Sequence, residues 1–182
     1  MNFIVQSLTY FRILSAPILF ILITFFNFYG QALILFILAS SSDYLDGYLA
    51  RKYNLESDLG AALDPIADKI LITFLILALA AELNSIFIGF VGGIILAREF
   101  WVGALRDINA RQSNKQATNV TQLAKIKTTI QFVTFSSFLL GLFLNNSLIL
   151  FISNFFLFIA LIVTLQTGLS YTIATFSKKI ES

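Results

Sequence analysis

Six apolar runs, at residues 8–28, 31–51, 59–81, 86–106, 122–144 and 148–176, take up almost the whole chain. A helical run of about 20 residues matches the hydrocarbon thickness of a bilayer, and in lipid only a helix or a closed barrel satisfies its own backbone. Most connectors are too short for anything but a turn or a compact charged loop (52–58), and only 107–121 is long and polar. No linker divides soluble domains and no internal repeat is visible. The spacing therefore predicts an all-α integral membrane protein, six transmembrane helices in one bundle, with residues 1–182 as a single domain. Composition agrees: 58% of the residues are hydrophobic and 12% charged, against about a quarter charged in soluble domains. The first run has no basic stretch before it and no small-residue cleavage site after it, so it reads as a retained span rather than a signal peptide.

The basic residues are one-sided. With the N-terminus inside, Arg12, Arg51, Lys52, Arg106, Arg111, Lys115, Lys125, Lys127, Lys178 and Lys179 all fall on the inner side, and the opposite connectors hold no Lys or Arg. By the positive-inside rule both termini are cytoplasmic, in the cell (inner) membrane. A formal net charge of +2 is far too small for a nucleic-acid binder.

The charges inside the spans carry the chemistry. Asp43, Asp46, Asp64 and Asp68 lie within or at the ends of apolar runs, where a charge costs several kcal/mol unless it faces a polar cavity. Asp43, Asp46 and Ala50 share one face of the second helix, and Gly60, Asp64 and Asp68 one face of the third. The short connector makes these helices antiparallel neighbours, so four carboxylates are expected to converge at one mouth of the bundle. Left alone they repel. Divalent cations resolve that conflict, and in a chain with no histidine and no cysteine the donor set suits Mg²⁺, Mn²⁺ or Ca²⁺ rather than zinc. Disulfides, thiol nucleophiles and imidazole bases are excluded with the same two residue types. Two hard cations on acidic ligands form a clamp for a diphosphate undergoing displacement at phosphorus.

Residues 43–69 read DYLDGYLARKYNLESDLGAALDPIADK. This resembles the signature of the CDP-alcohol phosphatidyltransferase family, D-x2-D-G-x2-A-R-x8-G-x3-D-x3-D, with every fixed residue and gap present. The resemblance implies a six-helix membrane enzyme that displaces CMP from a CDP-linked lipid with an alcohol. It further implies Asp43, Asp46, Asp64 and Asp68 as ligands of two Mg²⁺ or Mn²⁺ ions, with Asp68 also the general base. Asp43, Gly47, Ala50, Arg51 and Gly60 take the positions that shape the CDP pocket.

The flanking Leu8-Thr9-x2-Arg12-x4-Pro17, Arg98-Glu99, Leu105-Arg106 and Lys125-x-Lys127-Thr128-x2-Gln131 are similar to the bacterial branch whose acceptor is a glycerol phosphate. On that resemblance the expected partners are CDP-diacylglycerol and sn-glycerol 3-phosphate, the latter held by Arg106, Arg111, Lys125 and Lys127. Inositol phosphate, serine or phosphatidylglycerol as acceptor, and an ion-coupled transporter, are the alternatives; a transporter should carry an inverted repeat or paired broken helices, and neither is found. Adjacent residues on a helix do not face each other, so Arg98 and Glu99 are expected to serve different partners. Gly89-x3-Gly93 permits close helix contact, within the chain or across a homodimer.

Overall fold

Three asparagines set tight corners among the described residues. In the computed structural model, which describes the backbone of residues 2–53, 58–111 and 122–176 and the side-chain surroundings of 7–42, 63–111 and 126–176, the described residues form six helices. They are α1 (Asn2–Thr24), α2 (Tyr29–Tyr53), α3 (Asp58–Glu82), α4 (Ile86–Arg111), α5 (Gln122–Phe143) and α6 (Ser147–Phe176). The turns α1–α2, α3–α4 and α5–α6 contain Asn27, Asn84 and Asn145, each with φ between 45° and 55°. Asparagine tolerates this left-handed region better than any residue but glycine, and one such residue after a helix lets the next amides fold back onto its last carbonyls. Ser85 and Asn146 donate their amides to the carbonyls of Ala80 and Gly141 at 3.0 Å. The following helices are capped from the same turns: Asn146 Oδ1 accepts the amides of Leu148 (3.0 Å) and Ile149 (3.2 Å), and Ser85 Oγ that of Ile88 (3.3 Å). Such a cap contributes about 1 kcal/mol.

The closely packed pairs are α1 with α2 and α3, α3 with α4, α4 with α6, α6 with α5, and α5 with α2. They close a ring in the order α1, α3, α4, α6, α5, α2. Helices α2 and α3 both pack against α1, and among the described residues no extensive seam joins the two directly. Lipid offers an apolar side chain nearly the same environment as a protein core, so packing rather than the hydrophobic effect holds such helices together. Small residues accordingly mark the seams: Ala16, Ala32, Ala39, Ala78 and Ala160 are fully buried beside Phe36, Phe135 and Phe138. Phe25, Phe90, Phe151 and Leu169 point outward, which is where lipid would be.

Four helices contain stretches long and apolar enough to cross a membrane, Ser7–Thr24, Ile86–Arg111, Ile126–Phe143 and Ser147–Phe176. The apolar described part of α2, Tyr29–Ser42, is shorter, and α3 carries Asp64, Asp68 and Lys69 within its run. Helix α4 takes in residues 107–111, the first part of the segment expected as a polar connector. The reason is burial: Leu105 and Asn109 continue the face of Arg98 and Val102, and Asn109 Nδ2 donates to Thr175 Oγ1 on α6 at 2.8 Å. Gly89 packs near Ala80 of the same chain, whereas Gly93 faces open space.

Candidate functional site

Asp64 and Asp68 stand one turn apart on α3, and α1 runs parallel beside them. Thr9 and Arg12, three residues apart on α1, meet that pair at matching heights. Thr9 donates its hydroxyl to Asp64 Oδ1 at 2.7 Å. The Arg12 guanidinium, fully buried, brings Nη1 to 3.0 Å from Asp68 Oδ1, while the Asp68 side chain stays 51% exposed. A buried arginine is costly without a counter-charge, and its fork is suited to orienting a carboxylate. Each acid thus has one oxygen steered by α1 before any ligand arrives. Arg12 had counted in the sequence as a topology signal and part of a flanking motif. The hint to its contact was the pairing of T-x2-R on one helix with D-x3-D on another.

Asp68 opens onto a cavity of about 390 Å³. Phe36 and Ser40 of α2, Lys69 and Ile72 of α3, Leu96 and Glu99 of α4, and Lys127, Thr128, Gln131 and Phe132 of α5 share its lining. Lys69 lies beside Asp68 in sequence but leans toward α4, its Nζ 5.2 Å from the centre of the Phe100 ring. Gly103 makes this possible, because a Cβ there would come within 2.6 Å of that ammonium.

The far wall is basic. Lys127 is buried and donates to Glu99 Oε1, and Arg98 Nη1 donates to the same oxygen at 3.2 Å. Arg98 also donates through Nη2 to Thr167 Oγ1 of α6 at 2.6 Å. The expectation of different partners is met in that each residue reaches another helix, but the two adjacent side chains also meet one another.

The remaining site residues from the sequence are placed as follows. Arg106 bonds the Tyr171 hydroxyl at 3.0 Å and covers its ring at 5.1 Å, on the α4–α6 seam and off the cavity lining. Arg111 is exposed at the end of α4. Asp43, Asp46, Gly47, Ala50 and Arg51 lie on the last turns of α2 and Gly60 on the first turn of α3, but their side chains, with that of Lys125, fall outside the described surroundings; Lys115 lies outside the described residues.

The donor chemistry of Asp64 and Asp68 fits a hard divalent cation: two carboxylates one turn apart, each oriented by a neighbour, beside an open cavity. Among the described residues no three acidic, histidine or cysteine groups converge, so a full ligand set would need Asp43 and Asp46 as well.

Comparison with known proteins gives one answer throughout. The sequence pattern of the CDP-alcohol phosphatidyltransferase family matches residues 3–166. A Rickettsia felis protein named CDP-diacylglycerol–glycerol-3-phosphate 3-phosphatidyltransferase is 39% identical over 167 residues, 90% of each chain. Proteins of the same name from Rickettsia bellii and Shigella flexneri are 40% and 30% identical over 90% of each chain.

Proposed function

We propose, proceeding from the fact that this chain belongs to the CDP-alcohol phosphatidyltransferase family, that it transfers the phosphatidyl group of CDP-diacylglycerol to sn-glycerol 3-phosphate, forming phosphatidylglycerophosphate and CMP. The reading is carried by relatives from Rickettsia and Shigella that match 90% of the chain and bear the name of that reaction, and the family's complete acidic signature ends at Asp68, on the wall of the cavity described above.

In this reaction the acceptor hydroxyl oxygen bonds to the lipid-side phosphorus as the diphosphate bond to CMP breaks. The proton lost from the hydroxyl passes to the Asp68 carboxylate, which is held by Arg12 and open to the cavity. Two Mg²⁺ or Mn²⁺ ions, on Asp43, Asp46, Asp64 and Asp68, would offset charge on the diphosphate when bound. Asp43, Gly47, Ala50, Arg51 and Gly60 would shape the CDP pocket. Lys127 on the opposite wall would hold the acceptor's phosphate, with Lys125, Arg106 and Arg111 adding to the positive field.

A lipid donor and a soluble dianion can meet only near a membrane interface. The one-sided basic residues support an active site facing the cytoplasm in the cell membrane. Single cysteines at Asn54 and Ser113 should stay shielded from an impermeant thiol reagent in intact cells while those at Tyr29 and Asn146 label; the reverse pattern would invert the orientation. The activity itself is tested with purified protein, Mg²⁺ and CDP-diacylglycerol against a panel of alcohols, following CMP release. Release with sn-glycerol 3-phosphate is the expected result, and release only with another alcohol would reassign the acceptor.

A further inference from the structure

Arg98 and Glu99 are neighbours on one helix, and side chains at adjacent positions diverge by roughly 100° around the axis. Glu99 faces the cavity and Lys127, while Arg98 belongs to the α4–α6 seam. Their meeting at Glu99 Oε1 therefore needs something to bend the guanidinium back along its own helix, and α6 supplies it. Thr167 Oγ1 donates to backbone carbonyls of its own helix, at Val163 or Thr164 (2.9 Å each), and so turns its lone pairs to Arg98 Nη2. Gly168, the next residue, leaves the floor: a Cβ there would lie 2.9 Å from Arg98 Cγ and 3.1 Å from Nε. The seat is tight enough that the buried Nε makes no hydrogen bond of its own.

We propose that Thr167 and Gly168 seat Arg98 as a positioning residue, which fixes Glu99 and, through it, the Lys127 ammonium that receives the acceptor's phosphate. Two cations share one carboxylate, so the cluster is held together against its own repulsion and keeps one unit of positive charge at the cavity wall. Without Arg98, Glu99 would cancel the charge of Lys127 and leave the flexible lysine stem to wander. With it, the ammonium is both placed and uncompensated. The two seating residues lie just past residue 166, where the match to the family's sequence pattern ends.

The inference rests on the phosphatidyl-transfer reading, and one kinetic series separates the two. For the wild type, Thr167→Val, Thr167→Ser and Gly168→Ala, KM for sn-glycerol 3-phosphate, KM for CDP-diacylglycerol and kcat are measured, with thermal melts in detergent. Thr167→Val keeps the shape and removes the acceptor of a charged hydrogen bond, so acceptor KM should rise about tenfold. Gly168→Ala should raise it similarly by displacing the guanidinium, and Thr167→Ser should restore the wild-type value. KM for CDP-diacylglycerol should stay put, because the acidic wall is untouched. A purely structural role would instead lower the melting temperature and active fraction with acceptor KM unmoved, and that result overturns the proposal. A wild type active with a different alcohol but silent toward sn-glycerol 3-phosphate would refute the acceptor reading, and this inference with it.

Discussion

On α3 the carboxylates of Asp64 and of the cavity-lining Asp68 each lean on one polar side chain of α1, whereas on the facing wall a single carboxylate, Glu99, is shared by two cations. In the first arrangement two carboxylates face Arg12 while Lys69 turns away toward α4, and Asp68 stays half open. The second leaves positive charge in excess and buries it. Oriented carboxylates of this kind suit metal ions; an excess of positive charge on a buried, braced lysine suits an anion. In the proposed reaction the cavity would take a metal-bound diphosphate on one side and an acceptor phosphate on the other, without the two groups competing. The bracing differs too: the acidic wall depends on α1, the basic wall on α6, at opposite positions of the ring.

The walls can be broken separately. The largest effect should come from chelation. EDTA should abolish CMP release and Mg²⁺ or Mn²⁺ should restore it; full turnover in chelator would remove the metals from the acidic wall. Next, Asp68→Asn keeps size and a metal-capable oxygen but cannot accept a proton at neutral pH, so kcat should fall by roughly 10²–10⁴ while CDP-diacylglycerol still binds. A near-normal kcat would require another proton acceptor. Lys127→Ala should raise KM for sn-glycerol 3-phosphate by about 10- to 100-fold with little change in KM for CDP-diacylglycerol, and added salt should partly mimic it. Equal damage to both KM values would mean that the walls are not independent.

Thr9→Val should be milder. Loss of the hydroxyl that orients Asp64 should raise the Mg²⁺ concentration for half-maximal rate about tenfold, with Thr9→Ser near wild type; an unchanged Mg²⁺ requirement would leave Thr9 a packing residue. Least of all, Thr172→Val removes the acceptor of the exposed Trp101 indole, bonded at 3.0 Å. It should cost at most about 1 kcal/mol of stability and leave acceptor KM alone, marking where the α4–α6 seam stops serving the basic wall. A shift in acceptor KM would extend that wall along the seam.

Much of this was legible in one dimension. Run lengths predicted six helices, and short connectors placed neighbouring ones antiparallel, because both follow from local backbone satisfaction in lipid. That Asp64 and Asp68 share one face of α3 was legible because their spacing is one helix turn. Arg12 and Arg98 were not legible as what they are: one counted toward topology, the other was expected not to meet Glu99. Their partners, Asp68 and Thr167, stand 56 and 69 residues away, and no periodicity in a single chain encodes which helix lies beside which. Residues 107–111 were misjudged for the same reason, since their polarity suggests a connector until Asn109 finds Thr175.

The sequence by itself determined the solvent this chain lives in, its helices and the kind of chemistry its carboxylates can do, because hydropathy, run length and residue type are local quantities. Only the tertiary structure decided the ring order, and with it that α1 steadies the acids while α6 steadies the bases. A helix in lipid has no strong hydrophobic preference for one apolar neighbour over another, so the choice falls to small-residue fit and a few buried polar contacts, which exist only once the helices are side by side.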